Sequence, residues 1–85
     1  MNLIELAHKA QLRMRKEKDW AKGVSLAMKW LAENKTYNGT PKECIAYLNQ
    51  KIMAASLNAL SNDVYIGSIA LYSAMIDVLL EKETD

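Results

Sequence analysis

Two side chains of the types that most often carry catalysis occur in this sequence, and each stands alone. His8 is the only histidine and Cys44 the only cysteine. General acid–base and nucleophilic catalysis usually need two or more side chains held within mutual reach. The sequence assigns a partner to neither residue. We therefore expect His8 to be a partly exposed helix residue and Cys44 to be packed, with a reactive thiol as the alternative for Cys44.

The motifs that bind metals or phosphate are also missing from the sequence. A single cysteine excludes a zinc site built on several cysteines, and no Glu-x-x-His pattern supplies ligands for a di-iron bundle. Gly23, Gly39 and Gly67 lie far apart, so they do not form a glycine-rich phosphate loop. We expect no catalytic residues, no metal site and no cofactor, and hence a protein that is not an enzyme.

Basic residues concentrate near the N-terminus, and they are the first group that could bind a charged partner. On one continuing helix they would form two rows, and two rows of cations could neutralise several phosphates. The net charge of only +1 and the carboxylates among these cations argue against nucleic acid. A solvated helix face is the plain interpretation, with an acidic protein or nucleic acid as alternative partners. The six residues are Lys9, Arg13, Arg15, Lys16, Lys18 and Lys22.

The composition predicts that helices position these side chains. Of 85 residues, 51% are apolar, mainly Ala, Leu, Ile and Met, while there are only three Gly, one Pro and three Val. Such a chain favours helix over a turn-rich β fold. We expect one all-α domain spanning residues 1–85. No stretch resembles a secretory signal or a membrane span, so we expect a cytoplasmic protein.

Apolar spacing and capping signals predict four helices. Periodic apolar residues indicate helices at about 2–17 and 19–34, with Asp19 as a candidate N-cap for the second. One continuous helix of about 50 Å is the alternative. Thr40-Pro41-Lys42-Glu43 is a capping box with proline at the first helical position, so a third helix begins there. Ser61-Asn62-Asp63 predicts a kink or short turn before a last helix at about 63–82.

The last predicted helix is apolar around nearly its whole circumference. Such a helix is buried, either at the centre of its own domain or with one side covered by a partner. One of its faces combines two tyrosines with three aliphatic residues and is the predicted protein interface. Its members are Tyr65, Ile69, Tyr72, Ile76 and Leu80.

The fold predicted from these patterns is a small four-helix bundle, or a long helical hairpin that completes a bundle by dimerising. Small domains commonly gain stability by oligomerising, so we favour a homodimer over a monomer. The expected function is non-enzymatic protein binding, as a small regulator, adaptor or inhibitor that presents a helical surface to a larger protein. The size would also suit an accessory protein of a phage or mobile element. A nucleic-acid-binding protein using the basic first helix is the alternative.

Overall fold

The chain folds into a small bundle of four α-helices, which confirms the predicted all-α class. A computed structural model describes residues 1–15, 17–33 and 36–84, the last three of these as backbone alone. Within these ranges no β-strand forms, although Asn2 and Thr36 make an isolated antiparallel bridge. A single turn of 3₁₀ helix, Lys18–Trp20, precedes the second α-helix. The helices are α1 at Leu3–Gln11, α2 at Ala21–Glu33, α3 at Pro41–Ala59 and α4 at Tyr65–Thr84.

Helix α4 occupies the centre of the bundle. It packs against α1, α2, α3 and the 3₁₀ turn, whereas α3 brings its backbone close to neither α1 nor α2 in the described part of the chain. Leu71, Met75 and Leu79, spaced four residues apart, are fully buried. Of the two arrangements that an all-apolar helix permits, the chain therefore adopts the central one.

Helices α2 and α4 cross with their backbones in direct contact, at a glycine on each helix. A Cβ atom added to Gly23 would lie 2.9 Å from the Gly67 Cα atom, and one added to Gly67 would lie 2.9 Å from the Trp20 Cα atom. The Ser68 hydroxyl, buried at this crossing, donates a hydrogen bond of 2.6 Å to the Gly23 carbonyl. The two glycines are thus required by the close approach of the helices rather than by an unusual backbone conformation.

The predicted capping box is present at the start of α3. Thr40 Oγ1 accepts a hydrogen bond from the Glu43 N–H at 3.2 Å, and Glu43 Oε1 accepts one from the Thr40 N–H at 3.0 Å. The turn predicted at 61–63 is also confirmed, because α3 ends at Ala59 and α4 begins at Tyr65. Helix α1 begins with Asn2, whose side chain accepts from two backbone N–H groups of the first turn.

The prediction of a first helix extending to residue 17 is wrong, and so is the alternative of one continuous helix. Helix α1 ends at Gln11, and the Arg13 and Met14 N–H groups donate to carbonyls only three residues back. Beyond Ala10 the chain has little to bury, since Leu12 is 88% exposed. Asp19 is not an N-cap either, because it lies inside the 3₁₀ turn.

None of the described helices combines the length and the apolar character needed to cross a bilayer.

Candidate binding surfaces

The side of α3 that points away from α4 carries the most exposed group of large apolar side chains in the described chain. Met53, Leu57 and Leu60 are 69%, 71% and 86% exposed. They follow one another at steps of four and three residues, so they share one face of the helix. We call this surface the outer face of α3, and its members, all exposed, are Ala46, Asn49, Gln50, Met53, Ser56, Leu57 and Leu60.

The packing of α3 explains why these residues lie outside. Cys44, Leu48 and Ala55 fill the core side of the helix, with Ile45 and Ile52 half-buried beside them. Met53, Leu57 and Leu60 extend the apolar spacing of this stripe in the sequence, but the structure leaves all three side chains outside the core. Helix α4 covers only one side of α3, and no other described helix packs its backbone on the rest.

The outer face of α3 carries no charge. Lys51 is the only charged residue between Glu43 and Asp63, and it lies on another side of the helix. There its ammonium group sits 4.2 Å from the centroid of the Trp30 ring. A quarter of the whole chain is charged, so a helix face 15 residues long without any charge is unusual for a surface exposed to water. Depletion of charge is a property of the cores of protein interfaces.

A groove separates α2 from α3, with α4 as its floor. Its volume is about 300 Å³, and Trp30, Lys51, Tyr65 and Tyr72 are among its lining residues. Burial raises the pKa of the Tyr72 hydroxyl, so this group stays neutral at physiological pH. Lys51 partly closes the groove by lying over the aromatic rings of Trp30 and Tyr47.

The predicted interface on α4 is mostly covered by the chain itself. Tyr72 is buried, and Tyr65, Ile69 and Ile76 are half-buried against the core. Leu80 is the only one of the five that is more exposed than this, at 48%. A partner on this face stays a prediction, but the outer face of α3 offers more exposed apolar surface.

The basic residues do not form the two rows on a single helix that the sequence predicts, because α1 ends at Gln11. Lys9, Arg15, Lys18 and Lys22 are exposed, but they belong to α1, the connection, the 3₁₀ turn and α2. Lys16 lies outside the described residues. The cations are therefore spread over several elements instead of forming one aligned array.

Arg13 has a carboxylate partner from α4. Its guanidinium makes an ion pair with Glu81. The hydrogen bond between them raises the pKa of Arg13 and lowers that of Glu81. Both side chains are about half exposed, so the pair is worth little to stability. It does, however, neutralise one of the six cations that would contact an anionic partner.

The two isolated candidates for chemistry take the positions expected of structural residues. His8 is exposed on α1. Cys44 is fully buried, and burial raises the pKa of its thiol while the N-terminal ammonium group opposes that rise. The prediction of a packed cysteine is therefore confirmed. Among the described residues, no group of three or more His, Cys, Asp or Glu side chains is arranged to hold a metal ion.

Sequence reasoning missed the outer face of α3, although a signal for it exists. Ala46, Gln50, Met53, Leu57 and Leu60 follow steps of 4, 3, 4 and 3, which is the spacing of a helix-pairing seam. The second signal is the absence of charge along that seam.

In the comparisons with known proteins, the chain matches no protein-family model, no curated protein and no solved structure.

Proposed function

We propose that this protein is a non-enzymatic binding module that presents the outer face of α3 to another protein chain. The observation that carries the proposal is the exposure of Met53, Leu57 and Leu60 on a helix face without charge. Soluble domains rarely leave large apolar side chains clustered in water unless the cluster binds something.

The outer face of α3 offers a large part of the free energy that recognition of a partner needs. Full burial of one large aliphatic side chain contributes about 1.5–3 kcal/mol. Scaled by their exposed fractions, the three side chains together would contribute roughly 3–7 kcal/mol. A micromolar complex has a binding free energy of about −8 kcal/mol. The outer face would therefore supply much of the driving force for such a complex.

The attachment of α3 to the bundle favours binding further. Leu48 anchors the inner side of the helix in the core, and the capping box fixes its beginning. A face held in place in this way loses little conformational entropy when a partner binds. We picture a small cytoplasmic regulator, adaptor or inhibitor, because such roles need a preformed surface and no catalytic residues.

Site-specific photo-crosslinking in cells that produce the protein tests the proposal. A photoreactive amino acid replaces Leu57 in one variant and Leu12 in a control variant, since Leu12 is at least as exposed but lies away from α3. We expect covalent adducts with protein at position 57, few at position 12, and loss of the position 57 adducts when Met53→Lys is added. Equal adducts at both positions, or none at position 57, would contradict the proposed function.

A further inference from the structure

We infer that the groove between α2 and α3 binds a small aromatic carboxylate, with the acid group at Lys51 and Tyr72 and the rings against Trp30. This site is separate from the outer face of α3 and so goes beyond the proposed function. Three properties of the groove support the assignment: its size and lining, a cation without a carboxylate partner, and a tyrosine hydroxyl without a hydrogen-bond partner.

The groove has the size and the lining of a small-molecule site. Its volume of about 300 Å³ lies at the lower end of the range for such sites, about 300–1,000 Å³. On α3 its lining extends from Lys51 to Asn58, which is about 10 Å along the helix axis. Trp30, Tyr65 and Tyr72 add aromatic rings from the other two helices. Two fused rings with one acid group match this length, whereas a helix, about 10–12 Å wide, is too thick for the groove.

The charge of the groove favours an anion. Of the described residues that line it, only Lys51 is charged, and Lys51 makes no ion pair with a described carboxylate. Its ammonium group lies 4.2 Å from the centroid of the Trp30 ring and 5.4 Å from that of the Tyr47 ring, so the two rings hold it in place. An ammonium group held in this way loses little conformational freedom when it pairs with an anion.

Tyr72 places a polar group inside the groove. The residue is only 6% exposed, and its hydroxyl makes no hydrogen bond with a described residue. No fully enclosed side-chain nitrogen or oxygen atom of the described residues lacks a partner, so this hydroxyl must be accessible, and the groove is the space that Tyr72 lines. Buried tyrosine hydroxyls usually have a hydrogen-bond partner. An oxygen atom of the ligand would be that partner.

The two polar groups together indicate a carboxylate. Tyr72 interacts electrostatically with Tyr47, and Lys51 lies over the Tyr47 ring, so the hydroxyl and the ammonium group belong to the same end of the groove. One cation and one neutral donor match the single charge and the two oxygen atoms of a carboxylate. A phosphate ester, with up to two charges and three free oxygen atoms, would leave acceptors unsatisfied there.

A titration with 2-naphthoate, followed by NMR chemical shifts of the isotope-labelled protein, tests the site. The matched ligand is 2-naphthamide, which has the same size and shape but no charge. We expect saturable shifts at Trp30 and Lys51 with a dissociation constant of roughly 0.1–1 mM, typical of a ligand with about 13 non-hydrogen atoms. The amide should bind at least about fivefold more weakly. No saturable shift below about 5 mM, equal affinity for acid and amide, or shifts centred on Met53 and Leu57 would overturn the inference.

Four variants identify the residues that hold the acid. Lys51→Gln should weaken 2-naphthoate binding about five- to tenfold and leave 2-naphthamide binding unchanged. Lys42→Gln is the matched control, because Lys42 is an exposed lysine of the same helix outside the groove, and it should bind like the parent. Tyr72→Phe should weaken binding about two- to fivefold, and Ala54→Trp should abolish it by filling the groove from an exposed position. Parental affinity in any of the three groove variants, or a loss of affinity in Lys42→Gln, overturns the assignment.

Discussion

Alanine in place of Gly23 should destabilise the bundle, although alanine is the better helix former. A Cβ atom at this position would meet the Val64 carbonyl oxygen and come within 2.8 Å of the Ser68 nitrogen. These are backbone atoms of the connection into α4 and of α4 itself, so they cannot rotate away as the end of a side chain could. Helices α2 and α4 must move apart to admit the methyl group.

The size of the effect follows from three contributions. Overpacking a well-packed core typically costs about 1–3 kcal/mol. Parting the helices also weakens the buried hydrogen bond from Ser68 to the Gly23 carbonyl, and a buried group left without its partner costs about 1–3 kcal/mol. The higher helix propensity of alanine relative to glycine offsets about 0.5–1 kcal/mol of this loss of stability. These contributions sum to a net loss of about 1–5 kcal/mol, against a total stability of about 4–13 kcal/mol for a chain of this length.

Urea unfolding followed by circular dichroism at 222 nm measures this loss. The unfolding midpoint of Gly23→Ala should fall by about 1 M or more. Ser25→Ala is the matched control, because Ser25 is exposed on the same helix, and its stability should change by less than about 0.5 kcal/mol. A Gly23→Ala protein as stable as the parent, or more stable, would refute the argument that the two backbones touch at this crossing.

Three further measurements test the capping box and the thiol. Thr40→Ala should cost about 1 kcal/mol in urea unfolding by removing the side-chain cap of α3, and an unchanged midpoint would count against the cap. Hydrogen bonds from the backbone and side chain of Thr40 hold the pKa of Glu43 below its ordinary value of 4.5. The carboxylate therefore stabilises the fold above that value, and this contribution is lost as the pH falls through the lowered pKa. Glu43→Gln should flatten the fall in unfolding midpoint between pH 5 and about pH 3, and identical pH profiles would show that Glu43 contributes nothing. Cys44 should react with a thiol reagent at pH 8 only as fast as the protein unfolds, because it is buried and burial raises its pKa; rapid reaction of the folded protein would contradict the packing described.

Features with local causes could be predicted from the sequence. The hydrogen bonds of the capping box join residues three positions apart, so Thr40 and Glu43 are sufficient to specify it. The apolar circumference of α4 restricts this helix to two positions, either at the centre of its own domain or with one side against a partner. The central position is one of these two. The single cysteine, with the apolar residues Ile45 and Leu48 soon after it in the sequence, is packed as expected.

Features that depend on distant residues could not be predicted. Gly23 and Gly67 lie 44 positions apart, and nothing local to either glycine shows that they meet. Two apolar stripes run along α3, and helical periodicity cannot decide which of them α4 covers. The end of α1 at Gln11 also depends on distant residues. No glycine or proline marks it, and the helix stops where its buried contacts stop.

The central position of α4 has a consequence for synthesis on the ribosome. The earlier helices α1, α2 and α3 share α4 as their common packing partner in the described bundle, and α4 is translated after them. Isolated helices as short as α1 and α2, with 9 and 13 residues, are marginal in water. At about 5–20 residues per second, the 20 residues of α4 take roughly one to four seconds to add. Throughout that time the nascent chain has no complete core, so the protein should fold in one cooperative step only after α4 has left the exit tunnel.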